Sequence, residues 1–218
     1  DVGALAVGEI RVVTQYLNHP ALTLGYRLEV DGVSVVYATD HEPHSRALAG
    51  AGGPLSAPAP RSQGDERHAE FVAGADLLIH DSQYTTAEYS GKAGWGHSPL
   101  EYVVDLAMAA GVKRLALFHH DPLRDDAAID RLVEAGRRRV AAAGSAMEVM
   151  AAAEGLVVEP QPTREASRAP VSADALGLSA ASGSIVGQVV GIAVADGATA
   201  NLLADAVRPD GITALAAA

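Results

Sequence analysis

The sequence predicts an α/β layered fold, because strand-like and helix-like segments alternate along most of its length. Short β-branched runs, such as Gly8 to Tyr16 and Val33 to Thr39, have the alternating or buried pattern of strands. Longer segments between residues 97 and 143 carry apolar residues at helical spacing. Several apolar runs also stop at a histidine or an aspartate, and strand ends are where layered α/β folds gather their sites.

Composition narrows the classes of function. The 218 residues include 27 acidic and 16 basic side chains, a formal net charge of -11, which argues against a broad nucleic-acid or membrane-binding face. The absence of cysteine excludes disulfides and thiolate metal sites, so any metal must be held by histidine and carboxylate, a donor set that suits Zn, Mn or Fe. With no apolar leader and no run long enough to span a bilayer, a cytoplasmic protein is expected; a homo-oligomer is left open.

The first elements predict a short antiparallel meander. Three segments have strand patterns: Gly8 to Tyr16, Leu24 to Val30 and Val33 to Thr39. Asp31-Gly32 is a strong two-residue hairpin signal between the last two. His19 follows the first strand and Asp40 follows the third, so both lie at strand ends. Residues 42 to 64 are rich in Pro, Gly, Ala and Ser and predict a long surface loop.

The following segments alternate helix and strand. Asp65 to Gly74 predicts a short helix with His68 on its polar, solvated face, and Ala75 to Ile79 a strand that ends at His80-Asp81. A helix is expected from His97-Ser98-Pro99 to Gly111, with Ser98 as N-cap and Pro99 in its first position. The later predicted elements are a strand at 113–118, an amphipathic helix at 125–143 with residues 137–139 facing outward, and weak strands at 147–150 and 155–158.

Four residues at these boundaries carry metal-ligand or proton-transfer chemistry: His19, Asp40, His97 and His119. Imidazole and carboxylate ligands form a borderline divalent site, and a bridging carboxylate can hold two ions that clamp the oxygens of a displacement reaction. A histidine outside the coordination shell can protonate a leaving group. Single histidines at strand ends are mostly structural, so the functional interpretation depends on all four residues meeting.

Other candidates have weaker patterns. His41 and His44 form an Asp-His-x-x-His string with Asp40, but the segment enters the predicted loop, which disfavours a ligand cluster. His80 and Asp81 end a strand, where they either orient a ligand imidazole or simply satisfy the strand end. His120 is a candidate for a position behind the ligands or in solvent.

Several motifs, in order, resemble one family. The strings Asn18-His19-Pro20, Val35 to Asp40, Ala75 to Tyr84, Gly96-His97-Ser98 and Leu117 to Pro122 are similar to the later part of metallo-β-lactamase-fold hydrolases, in the ribonuclease Z branch of phosphodiesterases. The resemblance covers about Val7 to Val158 and implies the C-terminal half of an αββα sandwich. It implies a dinuclear metal site, with Zn as the preferred metal, in which His19 and His119 are ligands and Asp40 is the bridging carboxylate. It also implies that His97 is the non-ligand histidine that assists phosphodiester cleavage.

The chain departs from the family pattern in one respect. The signature His-x-His-x-Asp-His, which lies upstream and supplies about half of the ligands, does not occur here. Weak or absent metal binding is therefore expected for this chain alone. We predict a hydrolase-like domain at 1–159, a linker at 160–184, and a partial segment at 185–218. The last resembles the start of a response-regulator receiver domain, with Asp196 matching an acidic Mg²⁺ ligand.

Three functional hypotheses follow. The first is a metal-dependent hydrolase acting on a small-molecule or nucleotide phosphodiester. The second is a non-catalytic signalling or interaction module derived from the same fold. The third is hydrolysis of a lactone or thioester on the same scaffold. Metal dependence of activity separates the first from the second, and a comparison of substrates separates the first from the third.

Overall fold

The computed structural model describes residues 2–44 and 62–160, which form one seven-stranded sheet with helices. The strands are β1 (Val2–Val7), β2 (Ile10–Tyr16), β3 (Leu24–Val30), β4 (Val33–Ala38), β5 (Leu77–Asp81), β6 (Arg114–Phe118) and β7 (Glu148–Ala151). The helices are α1 (Gln63–Val72), α2 (Thr86–Tyr89), α3 (Leu100–Ala109) and α4 (Asp126–Ala142). The predicted α/β class is confirmed.

The sheet keeps its strands in chain order and changes character in the middle. β1 to β4 pair antiparallel, as the predicted meander requires, and β4 to β7 pair parallel. The β3–β4 hairpin closes through Asp31 and Gly32, with φ of 49° and 76°, the left-handed values that a two-residue primed turn needs. The parallel half has three helical connections, which contain α1, then α2 and α3, and then α4.

The main core lies between the sheet and helices α1, α3 and α4. Val36, Leu78 and Leu115 come from adjacent strands and are fully buried, as are Val103 and Val104 of α3. Alternate strand residues form a smaller cluster on the other side of the sheet, which includes Val35, Leu77 and Ala116. Strands β4 to β6 are therefore apolar on both faces, as is typical of the parallel part of a sheet.

Several local expectations are wrong. Pro99, and not Ser98, is the N-cap of α3, and no side chain caps that end; Ser98 Oγ instead donates to the carbonyl oxygen of His41 at 2.5 Å. Residues 155–158 are not a strand. Strand β1 and helix α2 were not expected. Arg139 was expected to face outward, but its guanidinium forms a bidentate ion pair with Asp105 of α3.

The described residues contain no helix that is both long enough and apolar enough to cross a membrane. The predicted linker from residue 161 onward, and the receiver-like segment with Asp196, lie outside the part of the chain that the structure describes. The domain boundaries at 159 and 184 therefore stay predictions.

Candidate active site

The carboxyl ends of the central parallel strands bring the first two candidate ligands together. Asp40 follows β4 and His119 follows β6, and both strands pair in parallel with β5 between them. His119 Nδ1 lies 3.5 Å from Asp40 Oδ1, although the two residues are far apart in sequence. Both side chains are about one-third exposed, so the pair is open to an ion or a substrate.

The backbone at these two positions is unusual. Asp40 has φ of 51° and His119 has φ of 54°, in the left-handed region that residues with a Cβ rarely occupy. Each such conformation costs of the order of 1 kcal/mol or more, and such residues cluster at functional sites. His119 comes directly after β6 and Asp40 two residues after β4, so the left-handed conformation occurs just beyond the end of each strand.

His97 joins this pair from the loop before α3. Its ring stacks on that of His119 with centroids 4.7 Å apart. One donor atom each of Asp40, His97 and His119 lies within 4.8 Å of the other two. The carboxylate of Asp40 and the imidazole of His119 are donors that suit a divalent ion of the zinc type, and the ring of His97 lies beside them.

His19 lies beside the group on the β2–β3 loop. Its ring centroid is 5.5 Å from that of His97, and its Nδ1 lies 3.2 Å from Thr23 Oγ1 and 3.3 Å from the Ala21 carbonyl oxygen. The Ala21 main-chain N–H also donates to Nδ1 at 3.1 Å, so Nδ1 is an acceptor in this structure, and Nε2 would have to lose its proton to bind an ion. A Cβ on Gly96 would lie 2.1 Å from the His19 ring, so only glycine fits there. The structure therefore brings all four predicted residues to one place.

Asp81 orients His97. Its carboxylate is fully buried, and Oδ2 accepts a hydrogen bond from His97 Nδ1 at 2.7 Å. The same carboxylate accepts the main-chain N–H groups of His41 and Gln83, at 3.1 and 3.0 Å, which fixes its position. Burial alone would lower the pKa of His97, but the hydrogen bond and charge of Asp81, with the charges of Asp40 and Glu42, outweigh it and raise the pKa.

Glu42 is a site residue that the sequence did not reveal. It lies two residues after Asp40, is almost completely buried, and accepts hydrogen bonds from the Tyr89 hydroxyl and from the main-chain N–H groups of Gly94 (2.6 Å) and Gly96 (3.0 Å). The carboxylate thus ties the loop that carries His97 to the segment that carries Asp40. No sequence pattern signals this role, because the partners are main-chain groups far along the chain.

The remaining candidate histidines lie around this centre. His41 is buried, and its Nδ1 accepts the Asn18 main-chain N–H at 3.2 Å. Most of the predicted loop that follows, residues 45–61, lies outside the described residues, so the loop stays a prediction. His44 is exposed, and its main-chain N–H donates to Asp65. His120 is half-buried next to His119, and burial lowers its pKa. His80 is completely buried in β5, with its Nδ1 2.7 Å from the Asp81 carbonyl oxygen.

The prediction for His68 is wrong. It was expected on a solvated helix face, but it is 1% exposed and lies against His41 and His80. Single-sequence periodicity missed this because α1 buries polar residues, among them Asp65, on the side that faces the end of β5.

Sequence comparison finds relatives for part of the chain. No family model matches it. Ribonuclease Z of Sulfurisphaera tokodaii is 40% identical over 72 residues, which cover 33% of this chain and 24% of that protein. Ribonuclease Z of Brevibacillus brevis is 37% identical over 57 residues, which cover 26% of this chain and 18% of that protein. Each match thus spans less than a quarter of the relative.

Solved structures align with more of the chain. The metallo-β-lactamase-fold protein YhfI of Bacillus subtilis aligns with a TM-score of 0.49 and 21% identity, covering 71% of this chain and 51% of that one. The short form of human tRNase Z aligns with a TM-score of 0.45 and 18% identity, covering 72% of this chain and 46% of that one. The chain spans about half the length of these proteins, and likeness at these TM-scores carries no information about activity. The resemblance to ribonuclease Z indicated by the ordered motifs is confirmed by these sequence relatives over the part of the chain that they match.

Proposed function

We propose that this chain supplies one wall of the active site of a metal-dependent hydrolase that cleaves phosphodiesters at a dinuclear centre. The observation that carries the proposal is the meeting of Asp40, His97 and His119, whose donor atoms lie within 4.8 Å of one another. These residues come from three separate segments of the chain, so their proximity is a property of the fold. Two of them also adopt the costly left-handed backbone conformation.

The donor set defines which residues would hold the ions. Asp40, which offers two carboxylate oxygens, would hold the ions together with His119 and His19. Zn²⁺ is the first choice, with Mn or Fe as alternatives, because the donors are imidazole and carboxylate. When bound, the ions would polarise the phosphoryl oxygens and lower the pKa of the attacking water. Three protein residues are few for two ions, so further ligands must come from outside the described residues.

His97 is suited to deliver a proton to the departing oxygen. Its Nδ1 is engaged with Asp81 at 2.7 Å, so Nε2 is the atom left to face a substrate. The raised pKa of His97 favours the imidazolium form, which can both stabilise negative charge and donate the proton. Buried Asp81 keeps the ring in one orientation, in the manner of an acid that positions a catalytic imidazole.

The substrate we propose is a small-molecule or nucleotide phosphodiester. The net charge of -11 gives no support to a wide basic face for a long nucleic acid. A bound divalent ion would still attract a phosphate group locally, because its charge dominates its surroundings. Two alternatives are tested against this proposal. A comparison of substrates tests for a lactone or thioester hydrolase, and chelation of the metal tests for a module without catalysis.

The test is hydrolysis of a dinucleotide phosphodiester, whose alkoxide leaving group needs a proton, by the chain within its full coding sequence, with and without Zn²⁺ or Mn²⁺. We expect metal-dependent turnover that His97→Ala lowers by about 10²-fold or more, because general acid catalysis contributes that much. Bound metal, measured by elemental analysis, should be unchanged in His97→Ala. His44→Gln is the matched control, since His44 is an exposed histidine outside the group.

Three results would contradict the proposal. Full turnover of the diester by His97→Ala with metals bound would remove the role given to His97. Faster hydrolysis of a lactone or thioester than of the diester would reassign the substrate class. A melting temperature that does not respond to chelator, together with no turnover, would favour a non-catalytic module.

A further inference from the structure

A second group of three histidines lies inside the fold, apart from the candidate active site. His41, His68 and His80 are 1%, 1% and 0% exposed, and a ring nitrogen of each lies within 4.8 Å of one on each of the others. They come from the segment after β4, from α1 and from β5. Nothing in the proposed hydrolysis uses His68 or His80, so the reason for burying three imidazoles together must lie elsewhere.

The outer nitrogens of two rings define their tautomers. His80 Nδ1 lies 2.7 Å from the Asp81 carbonyl oxygen, which can only accept, so this nitrogen carries a proton. His68 Nδ1 lies 3.3 Å from Gln15 Oε1. The Gln15 amide is oriented by its Nε2, which donates to the Arg67 carbonyl oxygen at 3.2 Å, so its oxygen faces His68. His68 Nδ1 therefore carries a proton as well.

The inner nitrogens are left in conflict. With both Nδ1 atoms protonated, the neutral rings present lone pairs at Nε2, yet His68 Nε2 and His80 Nε2 are only 3.0 Å apart. Two facing lone pairs at this distance repel unless a proton or a cation lies between them.

We propose that His68 and His80 bind a divalent transition-metal ion through their Nε2 atoms, with His41 as the third ligand. An ion of the Zn²⁺ class fits, because each Nδ1 donates to an oxygen, which is the arrangement that holds a ligating imidazole in place. At a metal–nitrogen distance of about 2.0–2.1 Å, two nitrogens on a tetrahedral ion lie about 3.3 Å apart. The observed 3.0 Å therefore needs to open by only a few tenths of an ångström.

His41 would complete the site only after its ring turns, because its Nδ1 now accepts the Asn18 main-chain N–H and its Nε2 faces the Tyr102 hydroxyl. Its ring now stacks on that of His68, with centroids 3.8 Å apart, so one of its nitrogens must turn toward the ion. Negative charge to balance the ion is close, because Asp65 and Asp81 are buried next to the rings. The Tyr102 hydroxyl bridges from Asp65, at 3.2 Å, to His41 Nε2, at 3.5 Å. The three rings would supply three of the four positions of a tetrahedral ion and leave the fourth to a water or a nearby side chain. All three rings are buried, which keeps a substrate away and favours a structural ion.

The test separates this ion from any held at the candidate active site. The variant Asp40→Ala/His119→Ala removes two ligands of that site and is dialysed to equilibrium against Co²⁺ or Zn²⁺. We expect it to retain one equivalent of tightly bound ion, with the visible absorption of tetrahedral Co²⁺. Adding His68→Gln should abolish that equivalent. Adding His44→Gln should leave it in place, since this exposed histidine lies next to the group without belonging to it.

The proposal is overturned if the Asp40→Ala/His119→Ala variant binds no ion, or if His68→Gln leaves the bound equivalent unchanged. A second measurement covers the case in which His68→Gln does not fold. Long-range ¹H–¹⁵N spectra of the Asp40→Ala/His119→Ala variant report each imidazole nitrogen separately. Stoichiometric Zn²⁺ should shift the Nε2 resonances of His68 and His80 and leave both Nδ1 atoms protonated; unshifted Nε2 resonances would refute the site. Neither measurement depends on hydrolysis, so failure of this metal-site proposal is distinct from failure of the proposed function.

Discussion

Replacing Asp81 by asparagine tests whether its carboxylate both stabilises the fold and raises the pKa of His97, the candidate proton donor. Its two carboxylate oxygens accept three hydrogen bonds, from the main-chain N–H groups of His41 and Gln83 and from His97 Nδ1. An asparagine amide keeps one accepting oxygen and places an NH₂ group where the second oxygen was. At least one N–H donor must then face another donor inside a fully buried site.

The magnitude follows from these contacts. A buried donor without its acceptor costs about 1–3 kcal/mol, and a hydrogen bond to a charged group contributes about 1.5–3 kcal/mol. The His97 side chain is only 14% exposed, so solvent does not screen most of this interaction. We therefore expect Asp81→Asn to lower the free energy of unfolding by about 3 kcal/mol near pH 6.

The effect should depend on pH in a defined direction. The folded-state pKa of His97 is raised, mainly by the hydrogen bond and charge of Asp81 acting against burial. The stability from this pair is then fully present below the ordinary pKa of about 6.5 and is lost as pH rises through the higher folded-state value. Asp81→Asn should accordingly destabilise the protein more at pH 6 than at pH 9, and the pKa of His97 should fall.

Two measurements check this. Urea unfolding at pH 6 and pH 9 gives the free energies, and an NMR titration of the His97 ring gives its pKa. Asp130→Asn is the control, because Asp130 is exposed on α4 and its replacement should change stability by about 0.5 kcal/mol or less. An equal loss of stability at both pH values, or an unchanged pKa of His97, would refute the role given to Asp81.

Three further predictions rest on single contacts. Gly96→Ala should destabilise the fold and lower turnover, because the φ of Gly96 is 95° and the added Cβ would lie 2.1 Å from the His19 imidazole. Thermal melting checks this, and an unchanged melting temperature would contradict it. Glu42→Gln should lower the melting temperature and broaden the NMR signals of residues 94–97, because an NH₂ group replaces one of the oxygens that accept from main-chain N–H groups. Unaltered signals there would contradict the role of Glu42 in holding this loop. Arg139→Gln should cost about 2–3 kcal/mol in urea unfolding, since it leaves the 8%-exposed Asp105 without its partner. Arg138→Gln, at an exposed position, should cost little; equal effects of the two would show that the ion pair adds nothing.

Local patterns predicted most elements because they act over a few residues. β3 and the turn at Asp31-Gly32 were predicted at their observed positions, and Asp125, which caps α4, marks the start of that helix. Ser98 shows the limit of this reasoning. As a serine before Pro99 it has the pattern of an N-cap, but its hydroxyl donates to a distant carbonyl instead, and such a tertiary bond leaves no local trace.

Long-range contacts explain the other failures. His68 was expected in solvent because its neighbours in α1 are polar, but the helix turns this face toward His80. β1 was missed because its residues, with few β-branched side chains, have weak strand propensity, and pairing with β2 along its whole length provides the order. Glu42 was missed because the groups it binds are main-chain N–H groups more than fifty residues away.

The α/β class, the order of most elements and the cysteine-free donor set follow from the amino-acid sequence, which also predicts the four residues of the candidate active site. The resemblance to ribonuclease Z follows from it as well, because ordered motifs are a local property of the chain. The folded chain adds that these four residues meet, that Asp81 orients His97, and that three further histidines are buried together. The physical reason is that parallel pairing of β4, β5 and β6 brings distant strand ends to one edge, a relation that no spacing along the chain expresses.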